Sequence, residues 1–180
     1  MNETKWLTIS QGIAILGSSL VFPFYIIFIK EIGANFSEFG IAFGLFTITS
    51  ALVHGLIGKY SDRFGRKIFL IINSLGMAFL FLLFPIVTKI WQVYALQIIL
   101  GIFGAMQRTC EKALVADFTD GNNRGEKIGT YHSWLAICSG LAVIIGGYLA
   151  DLMTFAIIFY LGSIILFLSG LLSLKIKENA

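Results

Sequence analysis

Long apolar runs separated by short charged or turn-rich breaks recur six times along this chain, at about 6–29, 37–58, 68–87, 91–117, 128–150 and 154–174. Each is close to or beyond the roughly 20 residues that cross a bilayer as a helix. The breaks carry their own local chemistry. Gly33 can end the first helix, and Asn35 followed three residues later by Glu38 reads as a capping box opening the second. Asp120-Gly121-Asn122-Asn123 reads as a turn between the fourth and fifth. The pattern predicts an all-α membrane protein, with residues 1–180 as a single six-helix transmembrane domain.

Composition agrees, with 57% hydrophobic and only 13% charged residues against the roughly 25% charge of soluble domains. The first run is too long for a signal-peptide core and lacks a small-residue cleavage site, so a retained first helix is expected. Cys110 and Cys138 both fall in apolar segments and suggest neither a disulfide nor a metal site. The sequence offers no metal-ligand cluster, no Ser/His/Asp set at a common depth and no glycine-rich phosphate loop, so no enzyme, no cofactor and no nucleic-acid partner is expected. Membrane lipid and a small-molecule substrate are the expected partners.

Charge sets the predicted orientation. Lys5, Lys59, Arg63, Arg66, Lys67, Arg124, Lys127, Lys175 and Lys177 lie at the termini or in the second and fourth connections, whereas the opposite side has Lys30 and Lys89. By the positive-inside rule both termini are cytoplasmic, and a multi-pass plasma-membrane location is expected.

The second connection is the most distinctive stretch. Gly58-Lys59-Tyr60-Ser61-Asp62-Arg63-Phe64-Gly65-Arg66-Lys67 resembles the signature loop of the major facilitator superfamily, with Gly58, Asp62, Arg63, Gly65, Arg66 and Lys67 at the family's positions. Asp117 and Arg124 are similar to an acid–arginine pair of the family's sugar porters. Arg124-Gly125 with Gly129, and Gly146-Gly147-Tyr148-Leu149-Ala150-Asp151, resemble the usual start and end of the fifth helix. Gln97 stands where many members carry an arginine, which weakens inferences borrowed from the proton-driven drug exporters that rely on it.

The resemblance covers one half of a family member, like an N-terminal half built of two inverted three-helix repeats. It implies a second half, since the substrate site lies between halves. A homodimer of six-helix protomers is expected, alongside a truncated half and a subunit of a larger transporter as alternatives. It also implies alternating access, with Gly58, Asp62, Arg63, Gly65, Arg66, Lys67, Asp117 and Arg124 forming a cytoplasmic latch. Asp62 would meet the positive N-terminal end of the fifth helix of the other protomer.

Candidate chemistry lies on the fourth helix, where Gln97, Gly101, Gly104, Arg108 and Glu111 recur on one face. Arg108 and Glu111, three apart, can pair with each other or face the cavity. Gln107 is a further candidate on this helix, and Lys112 can face inward or pair with Asp117. Gln11 and Tyr25 on the first helix and His132 and Trp134 on the fifth complete the candidate substrate contacts. His54 is expected to hydrogen-bond between helices, and Gly40-x-x-x-Gly44 to serve close helix packing. Glu111 is the deep carboxylate and therefore the candidate for proton coupling.

Two Arg108–Glu111 pairs around a two-fold axis would carry no net charge, so a small neutral solute, a sugar above all, is the first expected substrate. An organic anion is the alternative if Lys112 faces inward. A six-helix scaffold without transport activity stays open as a different class of function.

Overall fold

The computed structural model describes residues 2–119 and 123–176, with side chains from Lys5 onward. The predicted turn residues Asp120, Gly121 and Asn122, and Lys177, lie outside the described residues. All regular elements among the described residues are helical: α1 (Asn2–Val21), α2 (Tyr25–Glu31), α3 (Phe36–Phe64), α4 (Arg66–Leu83), α5 (Ile90–Phe118), α6 (Arg124–Leu152) and α7 (Phe155–Ser173). Together α1 and α2 make the first span, and α3 to α7 make the second to sixth, giving six helices long and apolar enough to cross a membrane.

Local chemistry explains the breaks. Pro23 lacks an amide hydrogen, and the first span passes through a 3-10 turn at Phe22–Phe24 before resuming as α2. Pro85 sits in a similar turn, Phe84–Ile86, that closes α4. The expected capping box forms in full: Glu38 N–H donates to Asn35 Oδ1 at 3.0 Å and Asn35 N–H to Glu38 Oε2 at 2.8 Å. Gly33, at φ 81°, follows the end of α2.

The second span departs from its predicted end. It continues through the signature segment to Phe64, so α3 has 29 residues and is about 43 Å long, well beyond the bilayer's apolar thickness. Charged residues are good helix formers once clear of lipid, and nothing before Gly65 stops the helix. The turn into α4 is then made by Gly65 alone, at φ 96°, a conformation that a side chain would strain.

Packing follows a two-fold pattern within the chain. The second span packs on the fourth as the fifth packs on the first, and the third packs on the fourth as the sixth packs on the first. The third and sixth spans meet across the axis relating these pairs. Three crossings separate each equivalent pair, so the units run in opposite senses, which is the inverted three-helix repeat. The α3 and α6 helices each lean mainly on one neighbour and are the least buried spans.

Two apolar clusters fill the bundle. At the end away from the signature segment lies an aromatic cluster, in which the Phe84 and Phe159 rings stack at 5.0 Å and Phe28 meets Phe159 edge-on at 5.1 Å. At the signature end Leu7, Leu70, Cys110 and Leu114 are fully buried. Ser74, Ser163 and Ser169 on α4 and α7 point inward. Ser163 Oγ donates to Ala78 O at 2.7 Å, and Ser169 Oγ to Ser10 O at 2.8 Å.

Candidate substrate cavity and charge network

Near the join of the two apolar clusters, four spans bring polar side chains together. Gln107 on α5 is the hub. Its amide nitrogen donates to Gln11 Oε1 on α1 and, at 3.1 Å, to Glu111 Oε2, while its carbonyl oxygen accepts from Asn73 Nδ2 on α4 at 2.5 Å. From α6, Tyr131 OH donates to Glu111 Oε1 at 2.8 Å. Each oxygen of the Glu111 side chain thus accepts from a neutral donor.

This network borders a cavity of about 230 Å³. Asn73, Gln107, Arg108 and Glu111 supply its polar wall, and Ala14, Ile15, Phe22, Phe46, Met77, Leu100 and Leu166 most of its apolar wall. Arg108 and Glu111 do not pair, contrary to one of the two expected arrangements, because Gln107 and Tyr131 occupy the carboxylate. Arg108 is exposed, as is Lys112 one turn along the same face of α5. Neither forms an ion pair with a carboxylate among the described residues. Asp117, the other expected partner of Lys112, bonds Arg66.

The remaining candidates separate from this cluster. Gln97 and Tyr25 are buried against each other beside the aromatic cluster, about 15 Å along α5 from Gln107. The expected polar stripe on α5 is divided by Gly101 and Gly104, which pack on Phe46 of α3 and close the upper part of that face. Trp134 lies over Gly12 of α1 and lines a separate groove, while His132 is exposed with its ring against that of Tyr131. His54 bridges helices as expected, with Nδ1 2.8 Å from Thr109 Oγ1 and Nε2 3.4 Å from Ser50 Oγ. Asn73 and Tyr131 are the members of the cluster that the sequence reading did not nominate. Asn73 is the one amide of α4, whose sequence after Lys67 is otherwise apolar apart from the adjacent Ser74, and that was the available signal.

At the signature end, Arg66 joins two acids. It donates to Asp62 Oδ1 through Nη2 at 2.9 Å and Nε at 3.3 Å, and it pairs through Nη1 with Asp117 on α5. Lys67 Nζ donates to Leu174 O at 2.8 Å, capping the end of α7. Arg63 lies over the Phe64 ring, and Gly58 lets Thr109 of α5 approach. Arg124 opens α6, and Asn123 before it adopts a left-handed conformation. Each acid and base of the ion-pair network is partly exposed, so these contacts are weak, worth about 0–1 kcal/mol each.

Six helices in inverted three-helix units, with a polar-ended cavity lined by α1, α3, α4, α5 and α7, define half of a membrane transporter. The family model described as Major Facilitator Superfamily matches residues 7–179, and the chain belongs to that superfamily. It is 51% identical over 158 residues to the uncharacterized MFS-type transporter YitZ of Bacillus subtilis (strain 168), covering 88% of this chain and 96% of that protein. It is 31% identical over 169 residues to the multidrug resistance protein MdtG of Proteus mirabilis (strain HI4320), covering 91% of this chain and 42% of that protein. MdtG of Dickeya zeae (strain Ech586) is likewise 31% identical over 160 residues, which span 39% of its length. The chain therefore spans about two-fifths of these MdtG relatives. It is a multi-pass membrane transporter and not an enzyme.

Proposed function

We propose that this chain is one half of a secondary transporter that works as a homodimer by alternating access and moves a small amphipathic organic anion. Arg108 and Lys112 carry the reading. Among the described residues neither cation has a carboxylate partner; Arg108 stands in the cavity wall and Lys112 one turn nearer the signature end, and a cation at the centre of a span costs roughly 2.5–3.5 kcal/mol on insertion scales. A bound anion offsets that cost, and the apolar wall of the cavity suits the rest of such a solute. Because Glu111 bonds Gln107 and Tyr131 rather than Arg108, a solute is the partner left for the Arg108 guanidinium. Sugar transport remains the second reading, favoured by Gln11 Nε2 and Asn73 Oδ1, a buried donor and acceptor that both lack a partner.

Two observations support a twin as the missing half. Gly40, Gly44 and Gly55 on α3 and Gly125, Gly129 and Gly140 on α6 face open space within the chain, leaving room for close packing by another helix. YitZ, of which 158 aligned residues make 96%, is itself of six-helix size. In this arrangement the termini and the signature segment face the cytoplasm of a plasma-membrane protein. Asp62 reaches α6 of the partner protomer in one state of the cycle, with Gly58, Arg63, Gly65, Arg66, Lys67, Asp117 and Arg124 shaping that latch. Glu111 carries the coupled proton, and Gln11, Gln107 and Arg108 contact the solute. Gln97, Tyr25, His132 and Trp134 support the helices around it.

Proteoliposome uptake of three labelled probes tests this: an aromatic carboxylate, a hexose and a lipophilic cation. The last is included because the MdtG relatives are named for multidrug resistance. Uptake of the carboxylate, lost in Arg108→Gln, is the expected result. Hexose uptake that survives Arg108→Gln would move the assignment to the second reading.

A further inference from the structure

A second open space, at the start of α6, comes within one residue of Glu111. It is a groove of about 660 Å³ between α1 and the first turns of α6, lined by Thr8, Glu126, Lys127, Thr130, Tyr131 and Trp134. The groove and the central cavity share no lining residue. Tyr131 stands between them. Its ring borders the groove, its hydroxyl donates to Glu111 at 2.8 Å, and Glu111 borders the cavity. The residue is 4% exposed, so its hydroxyl is a buried link between the two spaces.

We propose that Tyr131 is a proton relay, giving Glu111 access to the signature-end groove by a route separate from the solute's path. This deepens the reading of Glu111 as proton carrier and rests on it. In the relay, a hydronium ion in the groove gives a proton to the Tyr131 oxygen as that oxygen passes its own proton to Glu111 Oε1. One O–H bond breaks as another forms, tyrosine stays neutral throughout, and the carboxylate becomes the acid. The hydroxyl then turns, since protonated Oε1 no longer needs its donor. That loosens the bond joining α5 to α6 when the proton is bound, coupling proton occupancy to a helix at the face where a second half would dock.

The groups around Glu111 suit this role. On its own helix stand Arg108 and Lys112, and α6 contributes Tyr131 with His132 against its ring. From α1 and α4 the network receives the neutral amides Gln11 and Asn73. Glu126 and Lys127 sit at the groove.

Time-resolved infrared spectroscopy of the protein in lipid, after a pH jump, reads the step without any substrate. The carboxylic-acid carbonyl band lost in Glu111→Gln identifies the residue. In Tyr131→Phe, which keeps the ring, that band is expected to reach its equilibrium height about a hundredfold more slowly. Thr130→Leu, which fills the groove and leaves the hydroxyl in place, should slow it as well and serves if the phenylalanine variant does not fold. An unchanged rate in a folded variant overturns the relay and means that Glu111 exchanges directly with the cavity. Absence of any Glu111 band between about pH 4 and pH 9 overturns the reading of Glu111 as carrier itself.

Discussion

The glycines of this chain fall into two populations that look alike in the sequence and differ in the fold. On α5, a methyl group at Gly101 would stand 2.6 Å from the Phe46 carbonyl oxygen of α3, and on α6 one at Gly146 would stand 2.9 Å from the Leu20 carbonyl oxygen. Those positions bring backbones together inside the protomer. Gly44 on α3 and Gly140 on α6 meet nothing within 4 Å. The same residue type thus marks finished contacts in one region and, in our reading, unfinished ones in the other. The open positions lie on the two least buried spans.

Substitutions separate the two kinds of glycine. Gly101→Ala drives a Cβ into backbone and should destabilise the protomer by about 2 kcal/mol, measured by denaturant unfolding in detergent. A neutral result would mean that the α3–α5 approach is looser than described. Gly44→Leu and Gly140→Leu should leave the unfolding midpoint unchanged and weaken self-association by about tenfold or more, read by dilution in lipid vesicles with donor- and acceptor-labelled protein. If these variants instead unfold the protomer, the open face belongs to its own stability. Asp62→Asn should cut transport several-fold while the protein stays folded, because the ion pairs at Arg66 are weak in stability terms. Wild-type uptake by that variant would remove the latch.

How far the sequence foretold this depended on whether the cause was local. The spans, the capping box at Asn35 and Glu38, and the bridging role of His54 rest on nearby residues or on a face of one helix, and the structure has them. At the end of α3 the charged residues mark the helix's passage out of lipid and not its end, so the apolar run stops near Gly58 while the helix reaches Phe64. Glu111 shows the deeper limit. Its neighbour at three residues, Arg108, was the visible partner, but Tyr131 reaches it from α6, twenty positions away. Periodicity reports which side chains share a face and is silent about what another helix brings to that face. Gln97 shares a face of α5 with Arg108 and Glu111, but it lies against Tyr25 at the aromatic end, where Gly101 and Gly104 bring α3 onto that face.

The central claim is that two copies of this six-helix half make the transporter. Native mass spectrometry of the protein released from lipid vesicles that take up the labelled aromatic carboxylate tests it most directly. The expected species has twice the protomer mass and falls to the protomer mass with Gly44→Leu and Gly140→Leu combined, along with the loss of uptake. A protomer-mass species from vesicles that transport at full rate would contradict the account.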